Sequence, residues 1–467
     1  MFIQQMYTGC ISEAAYYIDN NGEAAIIDPL RDIDAYLQLA QERNAKIKYI
    51  FETHLHADFV SGHLDLAAAT GATIIFGPDT HTTYPVHLAT DGESFPLGQL
   101  TIQALHTPGH TLESTCYLLH NELGNPQAIF TGDTLFVGDV GRPDLAQNTN
   151  GTTAIELATL LYNSLQHKIL PLPDHVIVYP AHGAGSSCGK QIGSEAYSTI
   201  GNEKATNYAL QQPSETAFVA AVTEGLPEPP KYFAINAQIN QQGYNSMSAI
   251  LPVALQALSL EDFKIRKQDE NVVVLDTRPA TEFTQGFVPA SIFIGLEGRF
   301  AEWAGNILPF DKSILLVASI GKEKEAVTRL ARVGLDKVIG YLEGGFETWQ
   351  KGGEPIDLII DIEADELAMD LPFDDNLVVV DVRKETEFAV GHVKDAINIP
   401  LTELTDVGNM ADIDDHQNIY LHCGGGYRSV IATSLLKQQG FHNVRNILGG
   451  WTAIKELETK IPLATIK

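Results

Sequence analysis

The chain has 467 residues, which corresponds to about two to four domains at roughly 100–200 residues each. Hydrophobic residues make up 44% and charged residues 19%, so the chain can build several apolar cores and disorder is excluded as its main state. There are 30 Lys and Arg against 59 Asp and Glu, giving a formal charge of −29. Because so acidic a surface repels phosphate and anionic lipid, we expect neither nucleic acid nor a membrane as partner.

The four cysteines predict free thiols rather than a disulfide framework. Cys10, Cys116, Cys188 and Cys423 lie far apart in the sequence, and free thiols are typical of a reducing compartment. The first residues, MFIQQMYTGC, lack the basic and apolar regions of a signal peptide. No apolar run approaches the ~18 residues that cross a bilayer. We therefore expect a cytoplasmic protein.

Short apolar strands alternate with turns and helices through the first 200 or so residues. Helices are predicted over 33–43 and 152–166, and Gly151 followed by Thr152 and Thr153 offers an N-cap for the second helix. The predicted strands are AAIIDP (24–29), KIKYIF (46–51), ATIIFG (72–77), LTIQAL (100–105), STCYLL (114–119), QAIFTGD (127–133) and HVIVYPAHG (175–183).

A proline-rich stretch separates this region from the rest of the chain. Pro227, Pro229 and Pro230 prevent a continuous helix between 211 and 242. A connector is expected near 245–258, so the first domain is placed over 1–250.

The remaining chain contains an internal repeat. Residues 272–296 match 377–401, and Asp276 pairs with Asp381 at an offset of 105 residues. Each copy opens with a continuous apolar strand, as in a parallel sheet covered on both faces. We therefore predict two α/β domains, over 258–355 and 360–467. The other matched pairs are Arg278 with Arg383, Glu282 with Glu387, Phe283 with Phe388, and Gly344-Gly345-Phe346 with Gly449-Gly450-Trp451.

Histidines concentrate in the first domain, where 11 of the 15 lie at or before His182. The segment His54-Leu55-His56-Ala57-Asp58 follows an apolar strand and places three possible ligands on one loop. Imidazole and carboxylate together suit Zn, Fe or Mn. Further candidates lie at strand-to-turn transitions beside Gly or Pro, which let the backbone bend sharply. They are His110 in TPGHT, Asp133 in FTGDT and His182 in YPAHG.

This motif set resembles the metallo-β-lactamase fold over residues 1–245, which implies an αβ/βα sandwich with metal at one edge. Two-metal members have HxHxDH, but position 59 is Phe, which cannot ligate. A one-metal subset, the persulfide dioxygenases, is similar in this respect and implies one Fe(II) per chain. Its ligands would be His54, His110 and Asp133, with His56, Asp58 and His182 behind them. A zinc hydrolase would instead add His56 to the ligands.

Two further residues lie near this centre. In the resembling family, an Arg in the segment matching GDVGRPD (138–144) helps to hold the thiol carrier, so Arg142 is a candidate for substrate binding. Cys188, in HGAGSSCGK, follows His182 closely and could be either structural or functional.

A second candidate centre surrounds Cys423, which follows an apolar strand and precedes an amphipathic helix. Glycines allow successive N–H groups to form an anion nest, and the helix N-terminus and Arg428 add positive potential. These features favour the nucleophilic thiolate and would equally hold a persulfide. The loop residues are Gly424, Gly425, Gly426, Tyr427 and Ser429.

The segment around Cys423 is similar to the rhodanese domain, in which the loop Cys carries transferred sulfur. The first repeat resembles rhodanese too, but the 105-residue offset places Ala318 and Ser319 where Cys423 and Gly424 stand. We therefore interpret the first repeat as an inactive rhodanese with a structural or docking role.

The combined resemblance implies a sulfide-detoxifying fusion that forms homo-oligomers. Its substrates would be a low-molecular-weight thiol persulfide and O2, giving sulfite and thiol, and Cys423 would then form thiosulfate from sulfite and a persulfide. Two alternatives stay open at this stage, namely a zinc thioester hydrolase of the glyoxalase II type and a non-catalytic sulfur carrier or scaffold.

Overall fold

A computed structural model describes residues 1–146, 151–411, 413–414 and 416–466 of the chain. The chain divides into two compact units, one formed by Met1–Ala249 with Leu330–Gly334 and the other by Ile250–Arg329 with Leu335–Lys467. Within the described residues, no helix has the length and apolar character needed to span a membrane.

The first unit contains two six-stranded sheets. The first sheet has its strands in sequence order; its first three strands are antiparallel, and the strands from β3 to β6 run parallel to one another. Its strands are β1 (Phe2–Thr8), β2 (Glu13–Asn20), β3 (Glu23–Ile27), β4 (Lys46–Phe51), β5 (Thr73–Phe76) and β6 (His87–Leu88).

The second sheet has the reverse spatial order, β12-β11-β10-β9-β8-β7. Its strands are β7 (Ser94–Leu97), β8 (Leu100–His106), β9 (Thr115–His120), β10 (Pro126–Gly132), β11 (Ile177–Pro180) and β12 (Ser198–Thr199). All seven strands predicted from the sequence are confirmed as members of these two sheets.

Helices flank the sheets, and the two helices predicted over 33–43 and 152–166 correspond to Asp34–Glu42 and Ala154–Ser164. Thr153 caps its helix and forms a capping box with Glu156, as the sequence indicated for an N-cap here. The segment 245–258, where a connector was predicted, contains a helix with Pro252 inside it. The helices are α1 (Asp34–Glu42), α2 (His63–Thr70), α3 (Ala154–Ser164) with a π-helical turn (Leu165–Ile169), α4 (Ile200–Thr206), α5 (Glu215–Thr223), α6 (Phe233–Gln242) and α7 (Met247–Ala254).

The apolar faces of the two sheets pack on each other and form the central core. Phe51 of β4 meets Tyr117 of β9 with ring centroids 4.6 Å apart, and both side chains are fully buried. Truncating an aromatic side chain in such a core costs about 3–5 kcal/mol. Separate apolar clusters lie between each sheet and its helices. This is the predicted αβ/βα sandwich.

The second unit contains two five-stranded sheets whose strand pairs are parallel, as the sequence predicted. The first sheet has the order β13-β17-β16-β14-β15. Its elements are β13 (Ala257–Leu258), α8 (Leu260–Lys267), β14 (Val272–Asp276), α9 (Ala280–Phe283), β15 (Ile292–Phe293), α10 (Phe300–Ile307), β16 (Ser313–Val317), α11 (Glu323–Arg332), β17 (Val338–Leu342) and α12 (Gly345–Lys351).

The second sheet repeats this arrangement with the order β18-β23-β22-β19-β21, and β20 pairs with β24 beside it. Its elements are β18 (Ile360–Ile362), α13 (Ala364–Asp370), β19 (Leu377–Asp381), α14 (Glu385–Val390), β20 (His392–Val393), β21 (Ile397–Asn398), two 3-10 turns (Leu401–Glu403 and Val407–Met410), β22 (Asn418–His422), α15 (Tyr427–Gln438), β23 (Val444–Ile447), α16 (Gly450–Glu456) and β24 (Leu463–Ala464).

The two repeats share a buried ion pair at the end of their first central strand. Arg278 Nη2 lies 2.6 Å from Asp276 Oδ2, and Arg383 Nη2 lies 2.6 Å from Asp381 Oδ2. Each guanidinium also stacks on an aromatic ring, Phe346 in the first repeat and Trp451 in the second. The sequence repeat is therefore a structural repeat.

Candidate functional site

Three predicted ligands meet where strands of the first unit end. His54 follows β4, Asp133 follows β10, and His110 lies in the loop between β8 and β9. Asp133 Oδ2 lies 3.3 Å from His110 Nε2 and 3.9 Å from His54 Nε2. One donor atom from each residue lies within 4.8 Å of the other two. The three side chains can therefore bind one ion together.

A hydrogen bond on the far side of each ring orients it. His54 Nδ1 lies 3.0 Å from Thr53 Oγ1, and His110 Nδ1 lies 2.9 Å from the carbonyl oxygen of Arg142. His182 Nδ1 similarly lies 3.1 Å from the carbonyl oxygen of Ser12. Such contacts fix the ring and direct Nε2 toward a metal.

The chemistry of the cluster fits a metal ion. His54, His110 and Asp133 are each at most 3% exposed, yet neither carboxylate oxygen of Asp133 makes a hydrogen bond of normal geometry. A buried carboxylate without partners is costly, so it points to an ion. Burial, followed by the neighbouring histidines, lowers the pKa of His54, and a neutral imidazole is the form that binds metal. The His/Asp cluster is a metal-binding site.

Arg142 is buried behind the ligands and is 2% exposed. Its guanidinium makes a bidentate pair with Asp144, at 3.0 Å and 2.8 Å, and also donates to the carbonyl oxygens of Ser187 and Pro227. The contact of Arg142 with a thiol carrier stays a prediction. The Arg142 side chain connects three loops through these contacts. The main-chain carbonyl oxygen of Arg142 also contacts His110.

His56 belongs to a separate buried cluster with Asp28 and Glu52. Its Nε2 lies 3.0 Å from Asp28 Oδ1 and 3.4 Å from Glu52 Oε2. Burial opposes a charge on His56, but the two carboxylates outweigh it and raise the pKa of the imidazole. The Phe59 ring packs on His56 with centroids 4.3 Å apart. His56 Nε2 therefore faces Asp28 and Glu52, and its position behind the metal ligands stays a prediction.

Asp58 and His182 form a further cluster that includes Cys188. His182 Nε2 lies 3.3 Å from Asp58 Oδ2 and 3.5 Å from Asp133 Oδ1. Donor atoms of Asp58, His182 and Cys188 lie within 4.8 Å of one another, and all three residues are buried. Burial, and then Asp58 and Asp133, raise the pKa of the Cys188 thiol. The sequence placed Cys188 near this centre, and the structure brings its sulfur together with Asp58 and His182.

A cavity of about 540 Å³ opens over the first cluster. His54, His110 and Cys188 line it, and most of its other walls are apolar. Among the described lining residues, the charged side chains besides histidine are both acidic, namely Glu113 and Asp144. The remaining lining residues are Leu55, Ala57, Thr111, Leu112, Leu145, Ala146, Pro229, Pro230, Phe233, Ala234, Ala237, Gln238 and Gln241.

The loop after β22 wraps around the Cys423 sulfur as the sequence predicted. The N–H of Gly426 donates to Sγ at 3.1 Å, and Ser429 Oγ lies 3.7 Å from the same sulfur. Gly426 has φ of 101°, in the left-handed region that favours glycine. A Cβ on Gly450 would lie 2.3 Å from the Cys423 carbonyl oxygen, so glycine is also needed there. Gly424 and Gly425 complete the turn.

Arg428 makes a bidentate pair with Glu387, at 2.7 Å and 2.8 Å. The contact with Arg428 outweighs burial and lowers the pKa of the Glu387 carboxyl. The guanidinium therefore braces the loop against α14, while Tyr427 donates from Oη to the carbonyl oxygen of Gly295 at 2.8 Å.

The first repeat has the same close approach between a glycine and the residue after the strand, but it has no thiol there. A Cβ on Gly345 would lie 2.8 Å from the Ala318 carbonyl oxygen, which parallels the approach of Gly450 to Cys423. Ala318 follows β16 as Cys423 follows β22, at the expected offset. The inactivity of this repeat stays a prediction.

Several residues that support the metal centre could not be recognised from the sequence. Asp28 accepts from the N–H of Thr53 at 2.7 Å and from its hydroxyl at 2.9 Å. Asn240 donates to the carbonyl oxygens of His56 and Phe59 and is 1% exposed. The left-handed φ of 52° at Asp28, before Pro29, is the kind of local strain that signals such a role. For Asn240 we find no local signal.

Comparison with known proteins follows this geometry. The metallo-beta-lactamase superfamily matches residues 8–182, and the rhodanese-like domain matches residues 259–352 and 363–457. A probable hydroxyacylglutathione hydrolase of Schizosaccharomyces pombe is 30% identical over 201 residues, covering 41% of this chain and 73% of that protein. The chain belongs to the metallo-β-lactamase superfamily. In this member the metallo-β-lactamase domain precedes two rhodanese-like domains.

Two further similarities within the superfamily are informative. The mitochondrial persulfide dioxygenase ETHE1 of Mus musculus is 28% identical over 209 residues, covering 44% of this chain and 74% of that protein. A crystal structure of a metallo-beta-lactamase from Staphylococcus aureus is 32% identical, with a TM-score of 0.65, covering 73% of this chain and 98% of that one. The metal centre described above is that of a metallo-β-lactamase superfamily enzyme.

Proposed function

We propose that this enzyme is an Fe(II)-dependent persulfide dioxygenase with a coupled sulfurtransferase. The metal centre would oxidise a low-molecular-weight thiol persulfide with O2 to sulfite and thiol. The rhodanese-like loop would form thiosulfate from sulfite and a persulfide. The observation that carries this proposal is a three-ligand cluster of His54, His110 and Asp133 on one chain with the Cys423 loop.

The donor set suits the first reaction. Two imidazoles and one carboxylate leave adjacent coordination positions on an octahedral ion, and ferrous iron held there would supply O2 activation. The persulfide's outer sulfur loses four electrons, O2 gains four, and one water supplies the third oxygen of sulfite. The S–S bond breaks, and the inner sulfur leaves as thiol. Apolar side chains such as Leu112 and Phe233 line the cavity and would limit the access of bulk water to the reacting groups.

The loop suits the second reaction. Cys423 would take a sulfane sulfur from a donor persulfide and hold it as a persulfide beside the Gly426 N–H. Sulfite then attacks the outer sulfur, forming the S–S bond of thiosulfate and releasing Cys423 as thiolate. The Gly426 N–H, which already donates to Sγ, would stabilise the leaving thiolate, and a donor held in place before the reaction is the condition for preorganised electrostatic stabilisation.

The thiol that carries the persulfide sulfur would be glutathione, coenzyme A or another thiol. Glu113 and Asp144 are the acidic side chains lining the cavity, and Asp144 is paired with Arg142. Gln238 and Gln241, both on α6, supply uncharged polar groups there. A comparison of carriers with and without carboxylates therefore belongs in the assay.

The direct test is O2 uptake by full-length protein reconstituted anaerobically with Fe(II), with glutathione persulfide and at least one other persulfide as substrates. We expect O2 uptake matched by sulfite, and His110→Gln should lose both together with bound iron. His81→Gln is the matched control, because His81 is exposed in the same unit. Absence of uptake and of sulfite with every carrier would reject the dioxygenase.

The sulfurtransferase is tested separately in the same protein. Cys423→Ser should abolish thiosulfate formation and leave O2 uptake largely unchanged, because the thiol is outside the metal centre. Cys10→Ser, which removes another buried thiol, is the control. Loss of O2 uptake in Cys423→Ser would contradict the division of labour.

A zinc-dependent thioester hydrolase is the second candidate. It is favoured by similarity to the hydroxyacylglutathione hydrolase and by the cluster of Asp58, His182 and Cys188 beside the first three ligands. Phe59 argues against it, because it replaces a histidine of the second site with an apolar ring. Elemental analysis of protein purified without added metal separates the two: one iron per chain supports the dioxygenase. Two zinc ions per chain, one lost in Cys188→Ser, with hydrolysis of S-lactoylglutathione, support the hydrolase.

A further inference from the structure

A pocket of about 380 Å³ lies over Cys423, and both repeats of the second unit contribute to its walls. The thiol-free repeat is therefore part of the sulfur-transfer site. The second repeat contributes Cys423, Gly425, Tyr427 and Arg428, and the first repeat contributes Glu297, Gly298, Arg299 and Trp303.

Direct hydrogen bonds hold the wall from the first repeat against the loop. Tyr427 Oη donates to the carbonyl oxygen of Gly295 at 2.8 Å, just before the pocket-lining segment. On the same helix, Ser434 Oγ accepts from the N–H of Phe293 at 3.0 Å. Of these two contacts from α15, one is made with β15 and the other with the residues that follow β15. The position of Arg299 is thus coupled to the helix that starts at the thiol loop.

Both arginines of the pocket pair with a carboxylate, and they differ in exposure. Arg428 is engaged on both Nη atoms by Glu387. Arg299 pairs with Glu302 through Nε, and its side chain is 42% exposed against 21% for Arg428. A guanidinium carries five N–H donors in a planar fork that matches oxyanions. Glu297, also lining the pocket, is exposed.

We propose that Arg299 of the thiol-free repeat binds the oxyanion acceptor, sulfite, and aligns it with the persulfide on Cys423. This inference rests on the proposed function of the Cys423 loop and gives the first repeat a role in the reaction. Trp303 forms a rigid wall beside the acceptor. The thiol-free repeat therefore supplies the acceptor half of the site, and the second repeat supplies the sulfur.

The step balances without another reactant. The sulfite sulfur attacks the outer sulfur of the Cys423 persulfide, and the bond between that sulfur and Sγ breaks. The persulfide's single charge passes to the Cys423 thiolate, and the two charges of sulfite stay on thiosulfate. Because a dianion approaches an anion, a cation beside the acceptor lowers their repulsion.

The test compares sulfite with dithiothreitol, an uncharged acceptor, in the full-length protein with glutathione persulfide as donor. Arg299→Gln should raise the KM for sulfite roughly 10-fold or more, since a charged hydrogen bond is lost. Transfer to dithiothreitol and the mass-detected persulfide on Cys423 should stay within about twofold of wild type, which shows that the site is folded. Arg299→Lys should recover part of the loss, and Lys324→Gln, an exposed charge on the same repeat, should have no effect.

The outcomes separate the two proposals. An unchanged KM for sulfite in Arg299→Gln, or an equal loss with sulfite and dithiothreitol, overturns the role of Arg299 while the sulfurtransferase stands. A wild-type protein that forms the persulfide but no thiosulfate rejects the proposed transfer itself, and the acceptor site with it.

Discussion

His110 is held in place by the backbone of Arg142, whose carbonyl oxygen lies 2.9 Å from Nδ1. The neighbouring Gly141 makes this approach possible, because a Cβ there would lie 2.0 Å from the carbonyl oxygen of Asp133 and 3.0 Å from His110 Nδ1. One short loop therefore supports two metal ligands from behind.

Gly141→Ala should weaken metal binding. The added methyl group displaces Asp133 and His110, and losing such support typically lowers metal affinity about 10–100-fold. Metal content after dialysis against a chelator series measures the effect. Gly9→Ala is the control, because a Cβ on Gly9 meets nothing within 4 Å. Equal metal retention in the two variants would show that the loop can shift freely.

Arg142→Ala should lower the free energy of unfolding of the first unit by about 3–5 kcal/mol, because it leaves Asp144 without its buried cation. Urea unfolding monitored by far-UV circular dichroism measures this. Lys204→Ala, which breaks the exposed pair with Asp174, should cost less than about 1 kcal/mol. A stable Arg142→Ala protein with a raised KM for persulfide would instead support the predicted carrier contact.

Glu387→Gln should destabilise the second unit above pH 4.5 and have less effect in acid. Arg428 lowers the pKa of the folded carboxyl below its ordinary value of 4.5. Stabilisation by this ionised carboxylate is therefore present above that value and is lost as pH falls through the lower folded pKa. Unfolding measured from pH 7 to pH 3 should show the difference between wild type and variant shrinking. Glu385→Gln, exposed on the same helix, should show no such trend.

Ala318→Cys should fail to make the first repeat a sulfurtransferase. The backbone approach of Gly345 is present, but Ser319 and Ile320 stand where Gly424 and Gly425 follow the Cys423 thiol. In a Cys423→Ser background, we expect no persulfide at position 318 after treatment with glutathione persulfide, by mass spectrometry. A persulfide there, or thiosulfate formation, would contradict the interpretation of this repeat as inactive.

The fold could be predicted where the pattern of hydrophobic residues is local. The continuous apolar runs that became β14 and β19 stand out because such runs are typical of parallel strands with both faces covered. By contrast, β1 was missed because most of its residues are partly or largely exposed, and its pattern is mixed. The helix α7 was missed because Pro252 within it reads as a break, although its position is tolerated.

The metal ligands of the candidate site could be predicted because they stand at strand ends with glycine or proline beside them. His54, His110 and Asp133 come together because the β4, β8 and β10 ends lie at one edge of the sandwich. The supporting contacts could not be predicted. Asn240 reaches His56 across 184 residues of sequence, and Arg299 reaches the pocket of Cys423 from the other repeat. Such pairings depend on tertiary packing, which a local pattern does not encode.

The stacked Asp–Arg pair beneath Phe346 and Trp451 occurs in both repeats, although only one of them carries a thiol. The thiol can thus be present or absent while the Asp–Arg pair stays the same. If the whole loop of 423–429 replaced residues 318–324, the first repeat would gain a cysteine above an Asp–Arg pair that it already has. In a duplicated domain of this kind, the shared ion pair can keep the fold while one copy gives up its thiol and takes a different part in the proposed reaction.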